Sequence, residues 1–332
     1  MPEGPWPSGT RGEWESVIGA KGVALYASIM LKGSYPPIPT PFEEGRFAPE
    51  RLAENLERWG ADPLDGYVVL GSNGEAPLLD DHERQTVVRT VYEHIAPDRW
   101  MIVGAGREST AATIRSVKEA FDLGADAVLV GVPSYYKPAM TDATLREHYL
   151  RVADACPGPM LLYSVPVFTT LPIGVPLFSD LIRHERVAGI KDSSGDPAAI
   201  AAMVSAARAA GREASIMVGS ARALARGLLS GASGSVLAVS SIAPTVVDRI
   251  GKCAAAGDAE GAGRINDALL PLAEAVTSRH GIGGLKAALD IRSFYGGEPR
   301  PPLRPIDAAT REEIAGLMRS LEILPPTSAC AP

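Results

Sequence analysis

Three cysteines in 332 residues is little sulfur, and Cys156, Cys253 and Cys330 stand far apart. No pair has C-x-x-C spacing, which excludes a zinc ribbon and a dithiol redox motif. The five histidines (His82, His94, His148, His184, His280) include no H-x-x-x-H pair. No N-x-S/T sequon is present. With so few cysteines, this fits a reducing compartment, and the expected location is cytoplasmic. Long apolar runs are missing too, and none reaches the roughly 18–20 residues that span a bilayer. The nearest, Val17–Leu31, is interrupted by Lys21. Upstream of it lie Glu3, Glu13 and Glu15, where a secretory or transit peptide would be basic. Residues 1–32 therefore read as a disordered extension, or as translation from upstream of a natural start at Met30. Basic stripes are absent, and the net charge is −7. Such a surface repels phosphate backbones, so no nucleic acid is expected as a partner.

What is present is an alternation of short apolar runs with amphipathic stretches. The runs are Tyr35–Ile38, Gly66–Leu70, Trp100–Gly104, Asp126–Val130, Pro159–Tyr163, Val187–Lys191, Ser215–Gly219 and Gly234–Ala238. They are apolar throughout, as suits strands covered on both faces. The helices between them have readable ends. Pro49 opens one that Gly60 stops, and Asp80 with Glu83 forms a capping box. Ser109 or Thr110 opens another that Gly124 closes, and Asp196–Pro197 begins a fourth. Eight strand–helix units point to a closed (β/α)8 TIM barrel over residues 33–245. An open doubly wound sheet is the alternative. Its dinucleotide fingerprint is missing, because Gly104-Ala105-Gly106-Arg107-Glu108-Ser109 lacks the third glycine. Residues 246–324 read as a C-terminal helical region, with helices at Val246–Ala256, Ala259–Arg279, Gly284–Tyr295 and Ala308–Leu321. Residues 325–332 read as a disordered tail.

In such barrels the working residues lie at the C-terminal ends of the strands. Lys191 ends the apolar run Val187-Ala188-Gly189-Ile190. An ammonium there is partly desolvated, which lowers its pKa, and a neutral amine attacks a ketone to form an imine. The plainer reading is a lysine paired with a carboxylate such as Asp192 or Glu75. Position alone leaves the two even. Tyr163 ends the neighbouring strand and would set a phenol beside the amine. Such a phenol could take and return the proton of an aldol cleavage. An aromatic plug in the barrel mouth is the commoner meaning of such a residue. Gly71-Ser72-Asn73-Gly74 could offer backbone N–H groups and a hydroxyl to a carboxylate, or be an ordinary polar turn. Tyr135 and Tyr136 fit a solvent edge or a subunit contact. The sequence has no metal cluster, G-x-S-x-G elbow, Walker A loop or Cys–His dyad. Imine chemistry needs no cofactor, and none is expected.

Together, Pro39-Thr40-Pro41-Phe42, Gly71-Ser72-Asn73-Gly74-Glu75, Tyr163-Ser164-Val165-Pro166 and Gly189-Ile190-Lys191-Asp192-Ser193 resemble the dihydrodipicolinate synthase / N-acetylneuraminate lyase family of class I aldolases. The resemblance runs from about Gly33 to Leu321, and within the family it is nearest to the 4-hydroxy-2-oxoglutarate aldolases. It implies a Schiff-base lyase that cleaves a 4-hydroxy-2-oxo acid to pyruvate and an aldehyde. Lys191 would form the imine and Tyr163 would move the proton. Ser72 and Tyr135 would extend a relay, Ser72 and Asn73 would hold the carboxylate, and Ser193 and Gly219 would line the site. It also implies a homotetramer built as a dimer of dimers.

Two departures bear on the substrate. Family members that condense pyruvate with aspartate semialdehyde usually carry Gly-Thr-Thr-Gly-Glu, and an arginine where this chain has Phe168. Losing a bidentate carboxylate donor is not conservative. The alternatives through the same imine are 4-hydroxy-tetrahydrodipicolinate synthesis and sugar-acid dehydration or cleavage. A rival of another class is a non-catalytic 2-oxo-acid sensor.

Overall fold

The computed structural model describes residues 30–324. The readings of residues 1–29 and 325–332 lie outside the described residues. The apolar runs form eight parallel strands: β1 (Gly33–Ser34), β2 (Gly66–Val69), β3 (Trp100–Gly104), β4 (Ala127–Gly131), β5 (Met160–Ser164), β6 (Val187–Asp192), β7 (Ser215–Val218) and β8 (Gly234–Ser235). The hydrogen-bonded order is β1-β8-β7-β6-β5-β4-β3-β2. One parallel bridge, Pro37 to Val68, completes the ring. There Val68 N–H donates to Pro36 O, and Ile38 N–H donates to Val68 O, both at 3.0 Å.

The first strand differs from expectation. The run Tyr35–Ile38 was read as β1, but the ladder strand is Gly33–Ser34. Residues 33 and 35 still have N–H groups to give to Ser233 and Ser235 on the β8 side. Pro36, Pro37 and Pro39 have none, so the closing side toward β2 stays a single bridge. Residues 30–32 also differ. Leu31 is only 2% exposed and packs inside the barrel, and its N–H donates to Ser215 Oγ at 2.8 Å. The barrel therefore begins before residue 33.

The α-helices of six or more residues are α1 (Pro49–Trp59), α2 (Asp81–His94), α3 (Thr110–Asp122), α4 (Asp142–Ala155), α5 (Val175–Leu181), α6 (Pro197–Ala209), α7 (Leu224–Leu229), α8 (Pro244–Ala255), α9 (Ala259–Glu274), α10 (Gly281–Ile291) and α11 (Ala308–Ser320). Their ends follow the chemistry read from the chain. Asp80 accepts from Glu83 N–H at 2.8 Å, and Glu83 accepts from Asp80 N–H at 3.1 Å, so the capping box of α2 is complete. Ser109 and Asp196 cap α3 and α6. On α1, Leu52, Asn55, Leu56 and Trp59 face inward at helical spacing. The helix expected over Ala259–Arg279 is α9 followed by a π-helical turn at Ala275–Arg279. A two-stranded hairpin, Phe42–Glu43 with Arg46–Phe47, precedes α1.

The apolar interior has two layers. One fills the barrel itself, with Leu31, Val68, Ile102, Leu129, Leu161 and Met217. The other, much larger, lies between the strands and the helices. A side chain on a strand belongs to one layer or the other, and this choice decides what reaches the mouth. Among the described residues, no helix is long and apolar enough to cross a membrane.

Candidate active site

Strict alternation on β6 would put Ala188 and Ile190 on one face and send Lys191 to the other. The observed strand breaks that alternation. Ala188 packs in the barrel interior and Ile190 in the outer layer. The β5–β6 register slips between Met160 and Leu161, which pair with Val187 and Gly189. This is a bulge, and it returns Lys191 to the inner face. Gly189 makes the bulge sterically possible. A Cβ there would lie 2.0 Å from Ser215 O.

Beyond the bulge, Tyr163 and Lys191 are direct register partners. Lys191 is 3% exposed, and its Nζ lies 4.2 Å from the centre of the Tyr163 ring. Neither carboxylate offered by the plainer reading reaches it. Asp192 accepts from the backbone N–H and hydroxyl of Ser194. Glu75 is paired with a different lysine, as described below. Among the described residues, Lys191 takes part in no ion pair. A buried amine that faces a π ring and takes part in no ion pair among the described residues has the surroundings a protonated imine would have.

The Gly71–Glu75 turn reaches this pair. Ser72 Oγ lies 3.3 Å from the Tyr163 hydroxyl, and either can donate. Ser72 and Asn73 are half-buried, and the Asn73 amide has no hydrogen bond among the described residues. The turn closes with Gly74 N–H on Gly71 O and Glu75 N–H on Ser72 O, at 3.1 and 3.2 Å. Two non-glycine residues flank it in the left-handed region, Leu70 at φ 57° and Glu75 at φ 55°. That conformation costs about 1–3 kcal/mol per residue and persists where the surroundings enforce it. Thr40 Oγ1 donates to Gly74 O at 2.6 Å and fixes one side of the turn.

Sequence reasoning missed what fixes the other side. Lys286 on α10 is fully buried, and its Nζ lies 2.7 Å from Glu75 Oε1. It also donates to Glu298 O at 3.0 Å. Arg300 N–H donates to Glu75 Oε2 at 2.7 Å, and the Arg300 guanidinium grips Glu83. The Phe42 ring is close to both cations, with its centre 4.4 Å from Lys286 Nζ and 4.3 Å from Arg300 Cζ. Desolvation by burial lowers the pKa of Lys286, and the Glu75 carboxylate opposes that shift. The available signal was a lysine inside the apolar stretch Gly284-Leu285-Lys286-Ala287-Ala288-Leu289.

Ser193 and Gly219 come together beside Lys191. Gly219 N–H donates to Asp192 O at 2.7 Å, and a Cβ on Gly219 would lie 2.1 Å from Ser193 Oγ. Tyr135 is placed differently. It is 78% exposed, it meets Tyr136 edge-on at 5.0 Å, and its backbone N–H donates to Glu108 Oε2. Within one chain it is not joined to the Ser72–Tyr163 pair, since its hydroxyl has no hydrogen bond among the described residues. Phe168 lies on the short helix Pro166–Thr169 after β5 and is 63% exposed. Among the described residues, no group of three or more His, Cys, Asp or Glu side chains is placed to hold a metal ion.

Comparison with known proteins places this arrangement in a family. Residues 30–321 match the model of the dihydrodipicolinate synthetase family. A 4-hydroxy-tetrahydrodipicolinate synthase of Geobacter metallireducens is 31% identical over 295 residues, covering 89% of this chain and 100% of that protein. Among solved structures, a monomeric dihydrodipicolinate synthase variant superposes with a TM-score of 0.84 at 28% identity, covering 91% of this chain and all of its own. The chloride-inhibited dihydrodipicolinate synthase of Acinetobacter baumannii, in complex with pyruvate, gives a TM-score of 0.83 at 25% identity, covering 89% and 100%. The chain belongs to the dihydrodipicolinate synthetase family of Schiff-base-forming lyases and synthases.

Proposed function

We propose that this member of the dihydrodipicolinate synthetase family forms an imine between Lys191 Nζ and a 2-oxo acid, with pyruvate as the smallest substrate. The observation that carries the reading is Lys191, buried with no counter-ion among the described residues, 4.2 Å from the Tyr163 ring, with Ser72 Oγ against the Tyr163 hydroxyl. The amine adds to the keto carbon, and Tyr163 gives its proton to the carbinolamine hydroxyl, which leaves as water, so a protonated imine and a phenolate remain. In the cleavage direction, Tyr163 takes the proton of the hydroxyl two carbons from the imine carbon. The C3–C4 bond breaks, an aldehyde departs, and the electron pair moves to the imine nitrogen, giving an enamine. Tyr163 returns the proton to C3, and water releases pyruvate and the free amine. In the condensing direction, the pyruvate enamine attacks an incoming aldehyde and the same steps run backwards. Ser72 and Asn73 hold the carboxylate from the turn, and Ser193 and Gly219 shape the wall beside the amine.

For the second reactant, two observations pull apart. The Geobacter relative carries the name 4-hydroxy-tetrahydrodipicolinate synthase, which favours condensation over the cleavage of 4-hydroxy-2-oxoglutarate. Phe168 favours a neutral or apolar aldehyde, because no guanidinium stands there to pair with a second carboxylate. The relay through Tyr135 requires a second subunit, and the exposed Tyr135–Tyr136 pair supports such a contact. The homotetramer stays part of this proposal.

Incubation with pyruvate and borohydride tests the reading. We expect a permanent adduct on Lys191, located by peptide mass. No adduct at saturating pyruvate would leave only a 2-oxo-acid binder. Parallel assays of aspartate semialdehyde consumption and of pyruvate release from 4-hydroxy-2-oxo acids then separate condensation from cleavage.

A further inference from the structure

We infer that Lys286 and Glu75 form a buried latch through which the C-terminal region sets the position of the substrate-carboxylate turn. Lys286 is thus a positioning residue for the active site, although it lies outside the barrel. The inference rests on the proposed imine chemistry, since that is what gives the turn its role.

Four observations converge. First, Glu75 is the last residue of the turn, and its own N–H bonds Ser72 O, so a shift of Glu75 moves Ser72. Second, Glu75 is held at φ 55°, a conformation its backbone does not favour without outside support. Third, the support comes from residues more than 200 positions away. Lys286 Nζ and Arg300 N–H each take one carboxylate oxygen of Glu75, at 2.7 Å. Fourth, both side chains of the ion pair are fully buried, where a pair is poorly suited to stabilise the fold for its own sake. Its value lies in direction. A carboxylate that must meet one ammonium and one N–H has a single acceptable place, and Ser72, bonded to Glu75, is placed with it beside Tyr163.

The cation positions support the same conclusion. Lys286 and Arg300 both lie against the ring of Phe42, which follows the Pro39–Pro41 segment and belongs to the hairpin. Arg300 continues to Glu83 on α2 and to the carbonyls of Leu78 and Gly45. Hairpin, turn, α2 and α10 therefore meet at one charged knot behind the substrate site.

The experiment titrates pyruvate in the borohydride reaction for the wild type, Glu75→Gln, Lys286→Met and the double variant. Adduct on Lys191 and melting temperature are read for each. Glu75→Gln is nearly isosteric and keeps an acceptor for Arg300 N–H, so it remains informative should Lys286→Met fail to fold. We expect both single variants to label Lys191 to the wild-type maximum, with the half-labelling pyruvate concentration raised about 10- to 100-fold. We expect the double variant to recover melting temperature, because no lone charge is left buried, but not pyruvate affinity. Folded single variants with wild-type half-labelling would overturn the inference, as would a double variant that regains affinity together with stability. A wild type that takes no label would instead overturn the imine reading, and the latch's role with it.

Discussion

Two lysines of this chain are equally hidden from water and have opposite surroundings. Lys191, at the barrel mouth, faces a phenol ring and takes part in no ion pair among the described residues. Lys286, in the C-terminal region, touches a fully buried carboxylate at 2.7 Å. Burial alone therefore does not mark a reactive amine, and the presence of a counter-ion separates the two. The amine of Lys286 is committed to its carboxylate, whereas that of Lys191 is held by none among the described residues and can meet a ketone.

The contrast is broken most directly at Lys191. Lys191→Met should lower turnover by about 10⁴-fold or more and abolish borohydride labelling. It should leave urea unfolding unchanged or slightly more resistant, since a buried amine without an ion pair has been removed. The next largest effect belongs to its neighbour. Tyr163→Phe should keep labelling, because the amine is intact, but reduce turnover by about 10²–10⁴-fold, read in steady-state assays. Lys286→Met should behave in the opposite way. Labelling should persist at saturating pyruvate, while urea unfolding shows a loss of about 3–5 kcal/mol, because Glu75 is left charged and buried. Equal stability losses at positions 191 and 286 would erase the distinction.

The smallest effect is a control away from both lysines. His148 is 5% exposed, its Nδ1 lies 2.9 Å from Thr110 Oγ1, and its Nε2 has no hydrogen-bond partner among the described residues. Desolvation by burial holds its pKa below the usual imidazole value of about 6.5. The unfolded chain then binds the proton first as pH falls. Stability from this site is full above about pH 6.5 and declines below it. His148→Gln should flatten the fall of melting temperature between about pH 6.5 and 5 without changing the pyruvate concentration for half-labelling.

Much of the fold was legible because it follows local rules. The bounds of β3 were read as observed, and those of β2, β4, β5, β6 and β7 to within a residue. The Asp80–Glu83 box and the caps at Ser109 and Asp196 formed as their chemistry required. Strand β1 was misplaced because its apolar run is studded with prolines that cannot donate to a ladder. The hairpin at Phe42–Phe47 was missed. Its Glu44–Gly45 corner has two residues at positive φ, and only the glycine announces that in sequence.

The site was legible by position rather than by direction. Lys191, Tyr163 and Ser72 stood at strand ends, and the structure brings them together. Tyr135 was read in the loop after the fourth strand, and within one chain it is exposed there, apart from the Ser72–Tyr163 pair. Whether a strand-end residue faces the inner or the outer layer depends on register, and a single bulge at Gly189 reverses it for Lys191.

The order of elements, the barrel class and the residue types available at its mouth were settled by local patterns along the chain. Hydrophobic periodicity, capping groups and turn formers act over a few residues and need no distant partner. Tertiary structure alone decided which lysine keeps its amine unpaired. Glu75 and Lys286 lie more than 200 residues apart, and only the closed barrel and its C-terminal helices bring their charges to 2.7 Å, so that among the described residues Lys191 has no carboxylate partner.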